Sequence, residues 1–165
     1  MTTRHASDPA GSRPASPRLT SWRHRLHQLA ETAFAEHRTA AFITDTLRSL
    51  GIDVTTEVGG TGVVGTLTRG TSGRAVGLRA DMDGLPLREA TGLPYASGHD
   101  GKMHACGHDG HMAMVLGAAA LLARDEDFDG TVHFVFQPAE EPGRGAAAMI
   151  ADGIRAADRA SRAVA

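Results

Sequence analysis

Three apolar segments between residues 75 and 136 decide the fold class, and they read AVGLRA at residues 75–80, HMAMVLGAAALLA at 111–123 and TVHFVF at 131–136. The first and third are short apolar or β-branched runs, which are typical of strands. The second is rich in alanine, leucine and methionine, which favour helices. Two more strands are predicted at residues 52–56 and 63–68, because turns that contain glycine bound these runs. Strands that alternate with helices indicate an α/β fold built from layers of both elements.

The rest of the chain predicts further helices and an irregular leader. Across residues 19–50, apolar side chains recur at spacings of three and four, which predicts one or two helices with Gly51 as a C-cap. A last helix is predicted at residues 145–151. The first residues combine Pro, Ser, Gly and Arg, so they bury too little apolar surface to become ordered. We therefore expect a disordered leader at residues 1–18 and one domain at residues 19–165.

Composition and charge exclude several classes of partner. The chain has 165 residues, a formal net charge of -2 and a pI near 6.5, and its arginines are scattered along the sequence. This is not the charge pattern of a nucleic-acid-binding or membrane-surface protein, and no apolar run reaches the ~18 residues that a membrane-spanning helix requires. Cys106 is the only cysteine, so an intrachain disulfide cannot form. We predict a cytoplasmic protein that acts on a small molecule or peptide, without nucleic-acid or membrane partners.

The densest chemical signal is the segment MHACGHDGH at residues 103–111. Cys106 and His108 flank a glycine just before the predicted helix, so both side chains can reach one metal ion or two neighbouring ions. Two other interpretations remain open. Cys106 could be a small buried apolar residue beside histidines that cap the helix, or a nucleophile activated by His104 or His108.

Paired acids follow the strand predicted at residues 131–136. The segment QPAEEPG places Glu140 and Glu141 directly after this strand. Neighbouring carboxylates at a strand end can divide the chemistry, because one can bind a metal while the other acts as a general base. The alternative is a pair of solvent-exposed glutamates in a loop, since charged side chains are mostly exposed.

A second pair of acids ends the strand predicted at residues 75–80. The segment LRADMDGLP places Asp81 and Asp83 at the carboxyl end of this strand, where ligand sites of α/β sheets are found. A carboxylate there can orient a metal-binding histidine. The alternative is that these aspartates only form the turn before Gly84.

Three motifs together resemble one known family, and they read LRADMDGLPL, GKMHACGHDGHMAMVLGAAALL and GTVHFVFQPAEEPGRGAAAMIADG. In this order they resemble the M20 family of metal-dependent amidohydrolases and peptidases, in its aminoacylase, hippurate-hydrolase and auxin-conjugate-hydrolase branch. The resemblance covers about residues 22–154. It implies a zinc-exopeptidase-like mixed sheet flanked by helices, in a catalytic domain that a smaller lid and dimerisation domain interrupts. Full-length members are expected to be homodimers.

The resemblance also implies a role for each residue of the predicted site. Cys106, His108 and Glu141 would be metal ligands, Glu140 the general base and Asp83 a supporting catalytic acid. The cofactor would be a divalent metal, zinc or manganese with cobalt or nickel as further options, and two ions per complete site. The reaction would be hydrolysis of the amide bond of N-acyl amino acids or related conjugates by a metal-activated water.

The resemblance further implies histidine ligands after the Glu-Glu motif, yet His133 is the last histidine of this chain. We therefore expect a truncated catalytic domain without the lid domain, with weak metal binding and little activity of its own. One alternative is a non-catalytic metal-binding remnant or interaction fragment. Another is a peptidase of the same family that acts on dipeptides.

Overall fold

The computed structural model describes residues 17–154. Four helices and four strands follow one another as α1 (Pro17–Leu29), α2 (His37–Ser49), β1 (Asp53–Val58), β2 (Gly62–Arg69), β3 (Ala75–Asp81), α3 (His108–Leu122), β4 (Gly130–Gln137) and α4 (Gly145–Ala151). All elements predicted from the sequence are present, and the region before β1 contains two helices. Within these residues, no helix has the length and apolar character needed to cross a membrane.

Two boundaries differ from the prediction. Helix α1 begins at Pro17, so residues 17 and 18 do not belong to an irregular leader. Proline suits a first helical position, because its missing N–H would have no partner there. Residues 1–16 of the predicted leader and residues 155–165 of the predicted domain lie outside the described residues. Helix α3 begins at His108, three residues earlier than predicted. The prediction missed this start because the polar residues His108 and Asp109 do not follow the apolar pattern of the rest of the helix.

The four strands form one mixed sheet in the order β1-β2-β4-β3. Strand β2 is antiparallel to both β1 and β4, whereas β3 and β4 are parallel, with Asp81 opposite Gln137 at their carboxyl ends. Parallel strands end at the same edge of a sheet. The predicted acids after β3 and after β4 therefore meet at one edge, although more than fifty residues separate them in the sequence.

One apolar cluster packs the helices against this sheet. It contains Leu26 of α1, Leu47 of α2 and Leu116 of α3 together with Phe134 and Phe136 of β4, and all five side chains are fully buried. Burial of each such side chain stabilises the fold by roughly 1.5–3 kcal/mol. The packing holds the first residue of α3 close to the ends of β3 and β4.

The long connection between β3 and α3 is tied to the rest of the molecule by its backbone. Gly84 donates its N–H to the carbonyl oxygen of Glu31 at 2.7 Å, and Leu85 and Met103 exchange two hydrogen bonds of 2.9 and 3.0 Å. The pair formed by Leu85 and Met103 brings the end of the connection back beside its beginning. Cys106, just after this pair, is thereby returned to the edge at which β3 ends.

Candidate metal centre

His108 presents one ring nitrogen to the protein backbone and the other to the acids at the sheet edge. Its Nδ1 donates a hydrogen bond to the Asp83 carbonyl oxygen at 2.8 Å. A carbonyl oxygen only accepts hydrogen bonds, so this contact keeps a proton on Nδ1, and in the neutral ring Nε2 is the nitrogen that has the lone pair. Nε2 lies 3.6 Å from Asp81 Oδ2, 3.6 Å from Glu140 Oε2 and 3.9 Å from Glu141 Oε1. This geometry prepares His108 to bind a metal through Nε2.

Asp83 fixes the backbone of the glutamate pair through hydrogen bonds. The side chain is fully buried, and Oδ1 and Oδ2 accept the backbone N–H groups of Glu140 and Glu141, both at 3.0 Å. Burial alone would raise the pKa of Asp83, but the hydrogen bonds from His108 and from these two amides lower it below its usual value. Asp83 therefore remains a carboxylate that orients other groups. The interpretation of Asp83 as a simple turn residue is wrong.

Cys106, His108 and Glu141 converge on one point. One donor atom from each side chain lies within 4.8 Å of the other two. Glu141 Oε1 is buried and, among residues 17–154, has no hydrogen-bond partner. Such an orphaned oxygen beside a thiol and an imidazole is the arrangement that a divalent cation satisfies, and thiolate, imidazole and carboxylate are the ligand types of zinc sites. The residues present therefore fit a metal ion.

The electrostatics of this group also favour a cation. Burial alone would lower the pKa of His108, but the hydrogen bond with Asp83 and the charge of Asp81 raise it to about 9. The loss of surrounding water and the carboxylates of Glu141 and Glu140 raise the pKa of the Cys106 thiol. Negative charge at this edge contributes to both shifts, and a divalent ion would neutralise it.

The structure bears on two alternative interpretations of Cys106. The thiol is exposed, so the alternative interpretation of Cys106 as a buried apolar residue is wrong. His104 is buried, its pKa is lowered to about 4 mainly by burial, and neither of its ring nitrogens has a hydrogen-bond partner in the described part of the chain. His104 therefore does not provide the contact that activation of a thiol requires. His108, which lies in one group with Cys106, stays the other predicted activator.

Asp81, His108 and His111 form a second, overlapping group of possible ligands within residues 17–154. Asp81 already accepts a hydrogen bond from His111 Nδ1 at 2.7 Å and another from Arg79 at 3.2 Å. Burial would raise the pKa of Asp81, but the hydrogen bond from His111 and the charge of His108 lower it. Because both groups need the same Nε2 of His108, only one can use it at a time. The Cys106 group has the unsatisfied oxygen and is the better candidate.

A polar cluster behind the site was not predicted. Asp109, which follows His108, accepts hydrogen bonds from Arg23 at 3.1 Å and pairs with His27 Nδ1 at 2.9 Å. His27 Nε2 also pairs with Glu89 at 3.2 Å. Arg23 and His27 are four residues apart on α1, a spacing that places both on one face and could have indicated a shared partner. The cluster joins α1 to the start of α3.

The fold and the donor atoms place the chain in the class of α/β metal-binding proteins, with the candidate site at the carboxyl ends of two parallel strands. Residues 77–165 match the profile of Peptidase family M20/M25/M40. The chain belongs to this family, and the resemblance found in the three motifs is confirmed.

Known proteins agree with this assignment. The chain is 50% identical to a hippurate hydrolase of Campylobacter jejuni over 80% of its own length and 34% of the relative's. It is 44% identical to an N-acetyl-L-cysteine deacetylase of Bacillus subtilis over 93% and 37% of the two lengths. A crystal structure of a dinuclear metal binding peptidase of the M20 family from Bacillus subtilis superposes with a TM-score of 0.79 at 41% identity, over 83% of this chain and 39% of the other. The chain thus spans little more than a third of each relative.

Proposed function

We propose that this chain provides the metal-binding part of an amidohydrolase that cleaves the amide bond of N-acyl amino acids or related conjugates. The observation that carries the proposal is the convergence of Cys106, His108 and Glu141 around the unpartnered Glu141 Oε1. Relatives named hippurate hydrolase and N-acetyl-L-cysteine deacetylase support the substrate class.

Glu140 and Glu141 divide the work in this proposal. Glu141 binds the metal, and its side chain is the less exposed of the two. Glu140 is 39% exposed, and its Oε2 lies 3.6 Å from His108 Nε2, so it can accept a proton from a water molecule beside the ligands and return it to the departing amine. The chemistry that a bound divalent cation supplies is polarisation of the amide carbonyl and a lower pKa for water.

Asp83 supports both steps without contact with the substrate. It keeps the proton of His108 on Nδ1 through its carbonyl oxygen and holds the Glu140 and Glu141 amides through its carboxylate. Partners of this kind typically change metal affinity or activity by about 10–100-fold when they are replaced.

Zinc suits the mixed thiolate, imidazole and carboxylate ligands best, with manganese, cobalt and nickel as further options. The family reaction uses two ions, and His108 offers only Nε2 as a ligand. The second ion would therefore take further ligands outside residues 17–154.

A peptidase that acts on dipeptides is the second candidate, since the 41% identical structure from Bacillus subtilis is named a peptidase. Both reactions break an amide bond and use the same groups at the scissile bond. The leaving amine is an amino acid in both, and the substrates differ in the group on the carbonyl side of the bond, which is an acyl group in one and an amino acid residue in the other. A panel of substrates that varies this group separates the two candidates.

The test combines metal analysis with turnover. Bound metal and hydrolysis of N-acyl amino acids and dipeptides, with added zinc or manganese, would be measured for the wild type, Cys106→Ala and Glu140→Gln. Glu126→Gln, which changes an exposed acid in the α3–β4 connection, is the control. We expect Cys106→Ala to lose the metal and Glu140→Gln to keep the metal but lose turnover. A wild type that binds no metal would contradict the ligand assignment. Turnover that Glu140→Gln does not change would favour a non-catalytic metal-binding fragment contaminated by another hydrolase.

A further inference from the structure

Glu36 has a fully buried carboxylate that does not cap α2, the helix that follows it. It occupies the N-cap position of α2 but makes no side-chain capping hydrogen bond. Glu31 performs this task instead, since its carboxylate accepts the N–H groups of Arg38 at 3.2 Å and Thr39 at 2.8 Å. Burial of a carboxylate is costly unless its oxygens are hydrogen-bonded. The partners of Glu36 must therefore lie elsewhere.

These partners lie just before β2 and just after β4. Glu36 Oε1 accepts the backbone N–H of Ala139 at 2.9 Å, across 103 positions of sequence. Its Oε2 accepts the hydroxyl of Thr61, just before β2. The next two amides, of Glu140 and Glu141, are held by Asp83. Two buried carboxylates thus hold three successive N–H groups after β4.

The first of these three residues has an unusual backbone conformation. Ala139 has a φ of 47°, in the left-handed region that residues with a Cβ seldom adopt. The turn is closed by hydrogen bonds from the Gly143 N–H to the Glu140 carbonyl at 2.7 Å and from the Gly145 N–H to the Ala139 carbonyl at 2.9 Å. Strained conformations at a site persist only when the surroundings impose them. Here the turn directs the glutamate pair toward His108.

We propose that Glu36 is a positioning residue that holds Ala139 in this conformation and so aims Glu141 at the metal and Glu140 at the substrate. Glu36 acts through the backbone and contacts neither the ligand atoms nor the reacting bond. The inference rests on the proposed function, because it assigns Glu36 a part in forming that site.

A purely structural role for Glu36 predicts a different outcome. If its contact with Thr61 mattered most, Glu36 would only join the start of α2 to the start of β2. Thr61→Val removes this contact, leaves the Glu36–Ala139 hydrogen bond and conserves the shape of the side chain. Thr61 is buried to a similar degree, so Thr61→Val is a matched control for Glu36→Ala.

The experiment measures zinc affinity and the absorption spectrum with cobalt on the full chain. We expect Glu36→Ala to lower zinc affinity by about 10–100-fold, the range found for residues that orient ligands. Glu36→Gln should restore most of the affinity, because an amide oxygen also accepts the Ala139 N–H. The double variant Glu36→Ala/Ala139→Gly should regain part of it, since glycine adopts a positive φ without strain. Thr61→Val should change the melting temperature but not the affinity.

Three results would overturn the inference: an unchanged affinity in Glu36→Ala, an equal loss in Thr61→Val, or no recovery in the double variant. If circular dichroism shows that Glu36→Ala does not fold, Ala139→Val tests the same geometry, because a β-branched residue disfavours a positive φ. Unchanged zinc affinity in Ala139→Val would then count against the proposal. Failure of the proposed function would look different, because the wild type itself would lack zinc and the thiolate-to-cobalt absorption band.

Discussion

At the scale of single residues, the role of His108 follows from the partners of its two ring nitrogens. The Asp83 carbonyl oxygen holds the proton on Nδ1, while acids surround Nε2. Without a metal, these acids favour the imidazolium form. With a metal, the same nitrogen is a ligand and the neutral form is required.

This environment makes the stability of the metal-free protein depend on pH. The folded pKa of His108 is about 9 against an ordinary value of 6.5. A raised pKa contributes stability that is fully present below pH 6.5 and is lost as the pH rises through 9. We therefore expect the free energy of unfolding in urea with a chelator to fall between about pH 6.5 and about pH 8. Over this range, the free energy of unfolding should fall less in His108→Gln than in the exposed control His37→Gln. An equal slope in both variants would contradict the assignment to His108.

At the scale of elements, α3 connects the site to the core. Its first residue is the candidate ligand His108, and its buried face carries Met112 and Leu116. Two glycines of this helix have different surroundings. A Cβ at Gly110 would meet no atom within 4 Å, whereas a Cβ at Gly117 would lie 2.8 Å from Leu19 of α1.

Alanine substitutions at these glycines should have different effects. Gly110→Ala should raise the free energy of unfolding by about 0.5–1 kcal/mol, because alanine loses less conformational entropy in a helix. In Gly117→Ala the free energy of unfolding should stay the same or fall, since the new methyl group displaces Leu19 and disturbs the α1–α3 contact. Urea unfolding of both variants gives the comparison. A loss of stability in Gly110→Ala would show that the space beside this residue is not open.

At the scale of the whole molecule, the candidate ligands come from three parts of the chain: α3, the β3–α3 connection and the loop after β4. An ion that binds only the folded state stabilises it by mass action. The cytoplasmic location and the dimeric state of full-length members stay predictions, since no feature of residues 17–154 tests them.

Metal removal should therefore lower the melting temperature. At a zinc concentration of about 100 times the dissociation constant, the stabilisation is about 2.7 kcal/mol, which corresponds to a shift of about 5–10 °C for a chain of this size. Thermal unfolding with zinc and with a chelator measures the difference. Cys106→Ser should show no shift, because it lacks the thiolate. An equal shift in Cys106→Ser would mean that zinc binds elsewhere.

The sequence by itself determined the elements and the chemical types at the site. Strands, helices and the residues Cys106, His108, Glu140 and Glu141 could be predicted because periodicity and residue chemistry are local properties. The start of α3 was missed because its first turn carries polar residues.

Only the tertiary structure decided which of these groups act together. The sheet order β1-β2-β4-β3 with β3 parallel to β4 brings Asp83 under the glutamate pair and places Asp81 beside His111. It also brings Glu36 to Ala139 across 103 positions. Contacts over such separations depend on strand order and register, which no local pattern encodes, because they result from the packing of the whole core.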